Sequence, residues 1–310
     1  MAPPDGVTLA DLGEDAFLRR LLRQGAAQGK RGFVGPGDDC AVIPYGQQVL
    51  LLKTDAVVEG VHFDKSLPPT AVGRKALNRA ISDMAAMGGR PENALVTVFS
   101  PPDTSASYWE AVYRGIFRAA RAAGVSLVGG ELSSAPVCAL SVALTGSARR
   151  GEIALRSGGR PGHVLYVTGR LGGSIRRKHW AFTPRLAEGQ WLAQNHLVSA
   201  MMDLSDGLAA DLPRLARSSG CGFSLNHVPC SRGISLREAL CDGEDYELLF
   251  SVPPRLAVRL ESGWHKKFPR LLLTRIGTLH SHRKGREMPV SGFDHFLKQE
   301  QEQEGAQAVE

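Results

Sequence analysis

The residues of this chain best suited to hold a cation or a phosphate are carboxylates, and most sit at the ends of apolar runs. Asp38 and Asp39 close the loop Gly35-Pro36-Gly37, and Asp55 follows the run Val49-Leu50-Leu51-Leu52. Asp83 lies late in a stretch rich in small residues, and Glu131 follows Gly129-Gly130. Asp203 and Asp206 flank Leu204-Ser205, and Glu244-Asp245 precede another apolar run. Acids at strand ends beside flexible backbone are a common way to gather oxygen ligands around a hard cation. Mg²⁺ takes few carboxylates and completes its shell with water and phosphate oxygens. Several acids around one cleft therefore suit a nucleotide with more than one ion.

Each acid taken singly also fits a plainer role. Asp beside Gly favours turns and helix N-caps, because its carboxylate bonds nearby backbone N–H groups. Asp206 is placed to cap a helix, and Asp83 lies one turn after Arg79, an i,i+4 pair. The inference rests on six separate acid-bearing segments. His62, after Glu59-Gly60-Val61, fits a structural side chain as well as a ligand. The stripe Trp109/Tyr113/Phe117 is at helical spacing and reads as core.

The common phosphate loops are missing. Gly25 to Lys30 is one residue short of a P-loop and is followed by Arg31, and Gly35-Pro36-Gly37 precedes a strand and lacks the third glycine. There is no G-x-S-x-G nucleophile elbow.

The elements that must position these acids follow from periodicity. Helices are predicted over Thr8–Gln28, 70–88, 104–123 and Pro184–Gln194, with another starting at Asp206. In that last helix Pro213 fits only near the first turn or at a kink. Strands are predicted at Val49–Leu52, Ala94–Phe99, Ser126–Val128, Cys138–Leu144, His163–Thr168, Met201–Leu204, Gly222–Leu225, Tyr246–Val252 and Leu271–Ile276. Helices and strands mix without strict β-α-β alternation, which favours two α/β or α+β domains over one barrel. The stretch Ala148-Arg149-Arg150-Gly151 reads as a seam, dividing the chain into domains 1–150 and 151–297. The Gln/Glu-rich tail 298–310 reads as disordered.

Composition narrows the class. Length, at 310 residues, allows two ordinary domains, and apolar residues at 43% suffice for sizeable cores. No apolar run approaches the length of a membrane helix, and the N-terminus lacks the pattern of a secretory signal. The five cysteines form no C-x-x-C, so a cytoplasmic protein with reduced thiols is expected. A net charge of +6 is consistent with an anionic partner. The basic clusters Arg176–His179, His265–Lys267 and His282–Lys284 lack interleaved aromatics and read as solvated surface, so neither nucleic acid nor membrane is expected as a partner. The acids concentrate in the motif segments, so the expectation is a locally acidic cleft in a basic protein.

In their order along the chain the motif segments resemble the thiamine-monophosphate kinase family. The matching pieces are Gly37-Asp38-Asp39-Cys40-Ala41, Thr54-Asp55, Glu59-Gly60-Val61-His62-Phe63, Ser82-Asp83-Met84-Ala85-Ala86-Met87-Gly88 and Gly129-Gly130-Glu131. They continue with Arg156-Ser157-Gly158, Tyr166-Val167-Thr168-Gly169, Asp203-Leu204-Ser205-Asp206-Gly207-Leu208, Gly243-Glu244-Asp245-Tyr246-Glu247-Leu248 and Gly292-Phe293-Asp294-His295-Phe296. The resemblance implies the two-domain fold of the aminoimidazole ribonucleotide synthetase superfamily. Its N-terminal sheet would pair across a homodimer, with the active site between domains at that interface. It implies direct in-line transfer from ATP to thiamine monophosphate with several Mg²⁺ ions. Asp39, Thr54, Asp55, Asp83, Glu131, Asp203 and Asp206 are then metal ligands, direct or through water. Tyr113, Gly130, Glu131, Arg156 and Ser205 are ATP contacts, and His62, Glu244 and Phe293 are thiamine-side contacts. No residue is implied as an acid or base.

Four features depart from the family pattern. Glu131 stands where Asp is more frequent. Lys53 replaces a small hydroxyl residue beside the metal site, where an ammonium cannot ligate Mg²⁺ but is able to neutralise phosphate charge. Asp242 replaces a turn glycine, and the segment 174–184 is short and lacks one basic residue. The competing readings are another ATP-using enzyme of the superfamily and a non-catalytic nucleotide-binding homologue.

Overall fold

A computed structural model describes residues 6–24, 33–176, 178–281, 288 and 292–293. The tail 298–310, Asp294-His295-Phe296 and the cluster His282–Lys284 lie outside the described residues.

Along the chain come α1 (Leu9–Gln24), β1 (Ala41–Tyr45), β2 (Gln48–Val58), α2 (Pro69–Ala86), β3 (Arg90–Ser100), α3 (Ala106–Ala123), β4 (Ser126–Ser134) and β5 (Ala139–Arg149). These strands form one sheet in the order β1-β2-β5-β3-β4. Only β3 and β4 run parallel, joined through α3, and the other pairs are antiparallel. The second half runs β6 (Val164–Thr168), a 3₁₀ turn at Ser174–Arg176, α4 (Lys178–Ala181), α5 (Leu186–Gln194), β7 (Ala200–Asp203), α6 (Leu208–Ser218), β8 (Gly222–Leu225), α7 (Leu236–Cys241), β9 (Leu248–Val252), α8 (Pro254–Lys267) and β10 (Leu273–His280). Its sheet is antiparallel throughout, in the order β7-β9-β6-β10-β8. The architecture is thus a mixed α/β chain built on two sheets.

Each sheet has its own core. Leu51, Val96, Val98, Leu140, Val142 and Leu144 cover one face of the first sheet and pack on Val72, Leu77, Ile81, Met84 and Ile116 from α2 and α3. α2 and α3 touch backbone to backbone. A Cβ on Gly73 would stand 1.9 Å from the Val112 carbonyl oxygen, and one on Gly115 would stand 2.0 Å from that of Thr70. Both crossing positions therefore admit only glycine at this spacing. In the second sheet β6, β7 and β9 are buried along their whole length. Leu165, Leu249 and Ile276 pack under α6, while Tyr166, Phe250 and Trp264 form a separate aromatic-rich cluster.

Several sequence expectations shift. The strand expected at Ser126–Val128 continues through Gly129-Gly130-Glu131 to Ser134. As a solvent-exposed edge it has no buried face to write an alternating pattern. Asp206 does not cap α6. Gly207 holds the cap position with φ 92, and the Asp206 N–H donates instead to Asp211 Oδ2 at 3.0 Å. Pro213 lies inside α6, past the first turn, and removes the N–H that would serve the Ala209 carbonyl. Phe117 is half exposed, and the buried face of α3 is made by Val112, Gly115, Ile116, Ala119 and Ala120. Asp242 needs no positive φ (−58), because the left-handed residues of that turn are Gly243, Glu244 and Tyr246.

Candidate active site

The acids converge where the two sheets' units meet. Asp39 precedes β1, Asp83 sits in the last turn of α2, and Asp203 ends β7. All three are buried, and each offers an oxygen within 4.8 Å of the others. The junction is hydrogen-bonded directly, with Ser82 Oγ of α2 donating to Asp203 Oδ2 at 2.5 Å. Asp39 Oδ2 is buried and has no hydrogen-bond partner among the described residues. An unsatisfied buried carboxylate oxygen beside two further carboxylates is a donor set that fits a hard divalent cation.

A cavity of about 370 Å³ opens over Asp83 and Asp203, with Asp39 behind Arg156 at its wall. Asp55, Ser205, Asp206 and Tyr246 line it with Asp83 and Asp203. The burial of Asp203 and the neighbouring charge of Asp39 push its carboxyl up to about 7. Asp83 is pushed well up by burial, against the pull of Lys53. Asp38, next in the chain to Asp39, is likewise pushed to about 7 by burial and by the Asp39 charge.

The cleft is not the net-acidic site the sequence suggests. Its walls carry Glu14, Asp55, Asp83, Asp203 and Asp206, but also Lys53, Arg79, Arg156, Arg214 and Arg217. Specific pairs account for much of this balance. Arg156 Nη2 lies 2.5 Å from Asp39 Oδ1, and Lys53 Nζ lies 2.9 Å from Asp83 Oδ1. Arg79 Nε donates to Asp55 Oδ2 at 3.3 Å, so Arg79 does not pair with Asp83 one turn away on its own helix. Arg214 bonds both Asp206 and Asp211. The Arg156 N–H also donates to both Asp38 oxygens, at 3.2 and 3.1 Å, which ties Arg156 to the loop before β1.

One side of the cleft is a second buried charge cluster. Glu244 has φ 51 and Tyr246 φ 49, left-handed conformations uncommon for residues other than glycine. They are held by N–H bonds from Glu244 to the Ser205 carbonyl (2.6 Å) and from Tyr246 to the Leu204 carbonyl (2.8 Å). Glu244 Oε2 lies 2.8 Å from Lys75 Nζ and 3.5 Å from His179 Nδ1. Burial alone would raise its carboxyl, but His179, Lys75 and Arg79 together draw it down to about 2. The Tyr246 O–H donates to Glu244 Oε1 at 3.0 Å, and its ring stacks on Phe182 with centroids 3.9 Å apart.

The other expected residues fall into two groups. His62 is half buried beside this cluster, with Nδ1 accepting from the Val58 N–H and its carbonyl from Lys75. The Phe293 N–H donates to the Asp206 carbonyl at 2.9 Å, which puts Phe293 next to the cleft. Thr54, Gly130 and Glu131 are exposed on β2 and β4, and Tyr113 is half buried on α3. None of these four lines the cavity. Gly130 is needed where it stands, because a Cβ there would lie 2.0 Å from the Val96 carbonyl oxygen.

Sequence reasoning missed Lys75, Arg79, Tyr246 and the basic segment after Ser174. Arg176 is solvated surface as expected, but Lys178 and His179 are not. Lys178 reaches Asp245 (3.3 Å) and Glu247 (2.9 Å), and His179 reaches Glu244. Arg177 of the same cluster is outside the described residues. The signal available was the pair of acids just before the apolar run Leu248–Val252, Asp245 and Glu247, which once buried require cations from elsewhere in the chain.

Comparison with known proteins gives the lineage. Residues 37–148 match the AIR synthase related protein N-terminal domain family, and residues 174–262 match its C-terminal domain family. The thiamine-monophosphate kinase of Rhodopirellula baltica is 35% identical over 274 residues, covering 80% of this chain and 85% of its own. The chain belongs to the thiamine-monophosphate kinase family. The family member from Aquifex aeolicus is 32% identical and covers 84% of this chain and 92% of its own. The solved structure of AaThiL complexed with AMPPCP and TMP superposes with a TM-score of 0.81 at 30% identity, covering 94% of this chain and 99% of that one. Among the described residues no helix is long and apolar enough to cross a membrane.

Proposed function

We propose that this chain transfers the terminal phosphoryl group of ATP directly to thiamine monophosphate, giving ADP and thiamine diphosphate. The observation that carries this reading is the buried trio Asp39, Asp83 and Asp203 at the junction of the two units, in a cleft edged by Arg79, Arg156, Arg214 and Arg217. Family membership and the relative complexed with AMPPCP and TMP support ATP and thiamine monophosphate as the substrates.

The chemistry asks little of acids and bases. A phosphate-monoester oxygen is already ionised near neutral pH, so no group has to take a proton from it. The obstacle is repulsion between two anionic phosphates, and positioned cations answer it. Asp39, Asp83 and Asp203 would hold Mg²⁺, with Asp55 and Asp206 at the rim, and bound Mg²⁺ supplies charge neutralisation between donor and acceptor. Arg156 braces Asp39 and places guanidinium N–H groups toward phosphate oxygens. The Glu244 N–H donates to the Ser205 carbonyl of the segment after β7, which ties the nucleotide-side and thiamine-side contacts together. Tyr246 lines the cleft and donates to Glu244, which puts the Glu244 cluster on the thiamine side in this reading.

The reading also includes a division near residue 150, a cytoplasmic setting and a homodimer formed through the first sheet. Supporting the dimer, the edge strand β4 exposes Val128 and Leu132 in an isolated chain. In such a dimer Gly130 and Glu131 serve the site at the interface.

The test is to incubate the protein with ATP, Mg²⁺ and thiamine monophosphate and to separate the thiamine phosphates. Thiamine diphosphate is expected, and folded protein that forms none contradicts the reading. Asp55→Asn is expected to lower turnover by about 100-fold, the scale of losing one preorganised electrostatic group, with the far-UV spectrum unchanged.

A further inference from the structure

The carboxylate trio already contains cations of its own. Asp39 carries the Arg156 guanidinium, Asp83 carries the Lys53 ammonium, and Asp203 has only the Ser82 hydroxyl. Three carboxylates against two resident cations leave one negative charge. The Lys53 side chain is rooted firmly, because β2 pairs with β1 on one side and β5 on the other, where Lys53 stands opposite Leu144. Residues two apart on a strand share a face, so Lys53 points with Asp55 into the cleft, and both line the cavity. Its side chain is only 23% exposed, and the ammonium lies 2.9 Å from an Asp83 oxygen. A divalent ion using that oxygen must displace the ammonium or do without it.

We propose that the Lys53 ammonium is a built-in replacement for one metal ion, occupying a cation position in the Asp39/Asp83/Asp203 cluster. Nucleotide-free protein then binds one divalent ion fewer than its acids would otherwise hold. Lysine suits this role better than arginine would by shape, being a compact point charge comparable to a small ion. In the reaction the same ammonium is a positioning and charge-neutralising residue facing the phosphates.

The proposal rests on reading this cleft as a metal and phosphate site, but its test needs no turnover. Mn²⁺ binding to nucleotide-free protein is measured by electron paramagnetic resonance and calorimetry for wild type, Lys53→Met, Lys53→Gln and Lys53→Arg. Lys53→Met and Lys53→Gln are expected to gain one Mn²⁺ per chain, or to bind Mn²⁺ at least tenfold more tightly. Lys53→Arg, which keeps the charge, is expected to retain the wild-type count. Thermal unfolding gives a second readout. In EDTA the two neutral variants melt below wild type, and saturating Mn²⁺ raises them by more than it raises wild type. If both neutral variants are folded and bind Mn²⁺ with wild-type count and affinity, Lys53 is not a metal surrogate. If no form binds Mn²⁺ at all, the metal reading of the cleft fails with it.

Discussion

Lys75 Nζ lies 2.8 Å from Glu244 Oε2, joining α2 of the first unit to the turn before β9 of the second. Lys75 has no solvent exposure. Its ammonium also donates to the His62 carbonyl at 2.6 Å and sits 3.1 Å from His179 Nδ1. One buried charge therefore orders three segments around the cleft. Removing one partner of a buried pair leaves the other uncompensated, which costs about 3 kcal/mol or more. Lys75→Met is expected to lower stability by about 3 kcal/mol, read as a fall in the urea midpoint. A midpoint equal to that of wild type would show that Arg79 and His179 suffice to hold Glu244.

Glu244 also sets an acid limb of stability. Its carboxyl is depressed from an ordinary 4.5 to about 2. A depressed carboxyl contributes stability above its unfolded value and loses it as the pH falls through the folded one. Wild type is therefore expected to lose stability between about pH 4.5 and 2. In Glu244→Gln that part of the loss is absent, as thermal melts across the window will show. Parallel acid limbs in the two proteins would be evidence against the charge cluster.

The metal-free cleft has the opposite dependence. Burial and the Asp39 charge raise Asp203 to about 7, from an ordinary 3.8, and Asp38 behaves the same way. A raised carboxyl contributes stability below its unfolded value and loses it as the pH rises through the folded one. In EDTA the melting temperature is expected to fall between about pH 4 and pH 7, and saturating Mg²⁺ is expected to flatten that fall. A melting temperature in EDTA that rises across the same window would contradict the assignment.

The α2–α3 contact supplies a test away from the site. Gly115 meets the Thr70 carbonyl oxygen at 2.0 Å from any added Cβ. Gly115→Val is expected to destabilise the chain by about 3 kcal/mol, the upper range for overpacking, with an unchanged dependence on urea concentration. Unfolding energies equal within error would mean the helices separate at little cost.

How much of this was legible in the sequence depends on which side of a charge pair is considered. Asp39, Asp83 and Asp203 stand out because an acid in a glycine loop, among small residues or at the end of an apolar run breaks the surrounding pattern. The bases that pair with Asp83, Glu244 and Asp55 do not stand out by pattern. Lys53, Lys75 and Arg79 sit at polar-looking positions of a strand and a helix, and a buried base at such a position has the same one-dimensional pattern as a solvated one. Glu131 was misplaced relative to its strand because β4 is exposed on both faces and carries no period-two signal. The left-handed conformations of Glu244 and Tyr246 have no local signal, since positive φ on glutamate and tyrosine depends here on the Leu204 and Ser205 carbonyls of a distant segment. The two sheets and most helices were readable because each has a clear buried face.

Direct transfer at this cleft is best tested by a single turnover with γ-labelled ATP, excess protein, Mg²⁺ and thiamine monophosphate, quenched over time. The label is expected to pass into thiamine diphosphate at the rate at which ADP appears, with none retained on the protein and none transferred to free thiamine offered instead. Label that appears first on the protein, or only as inorganic phosphate, would contradict direct transfer between two phosphates held over Asp39, Asp83 and Asp203.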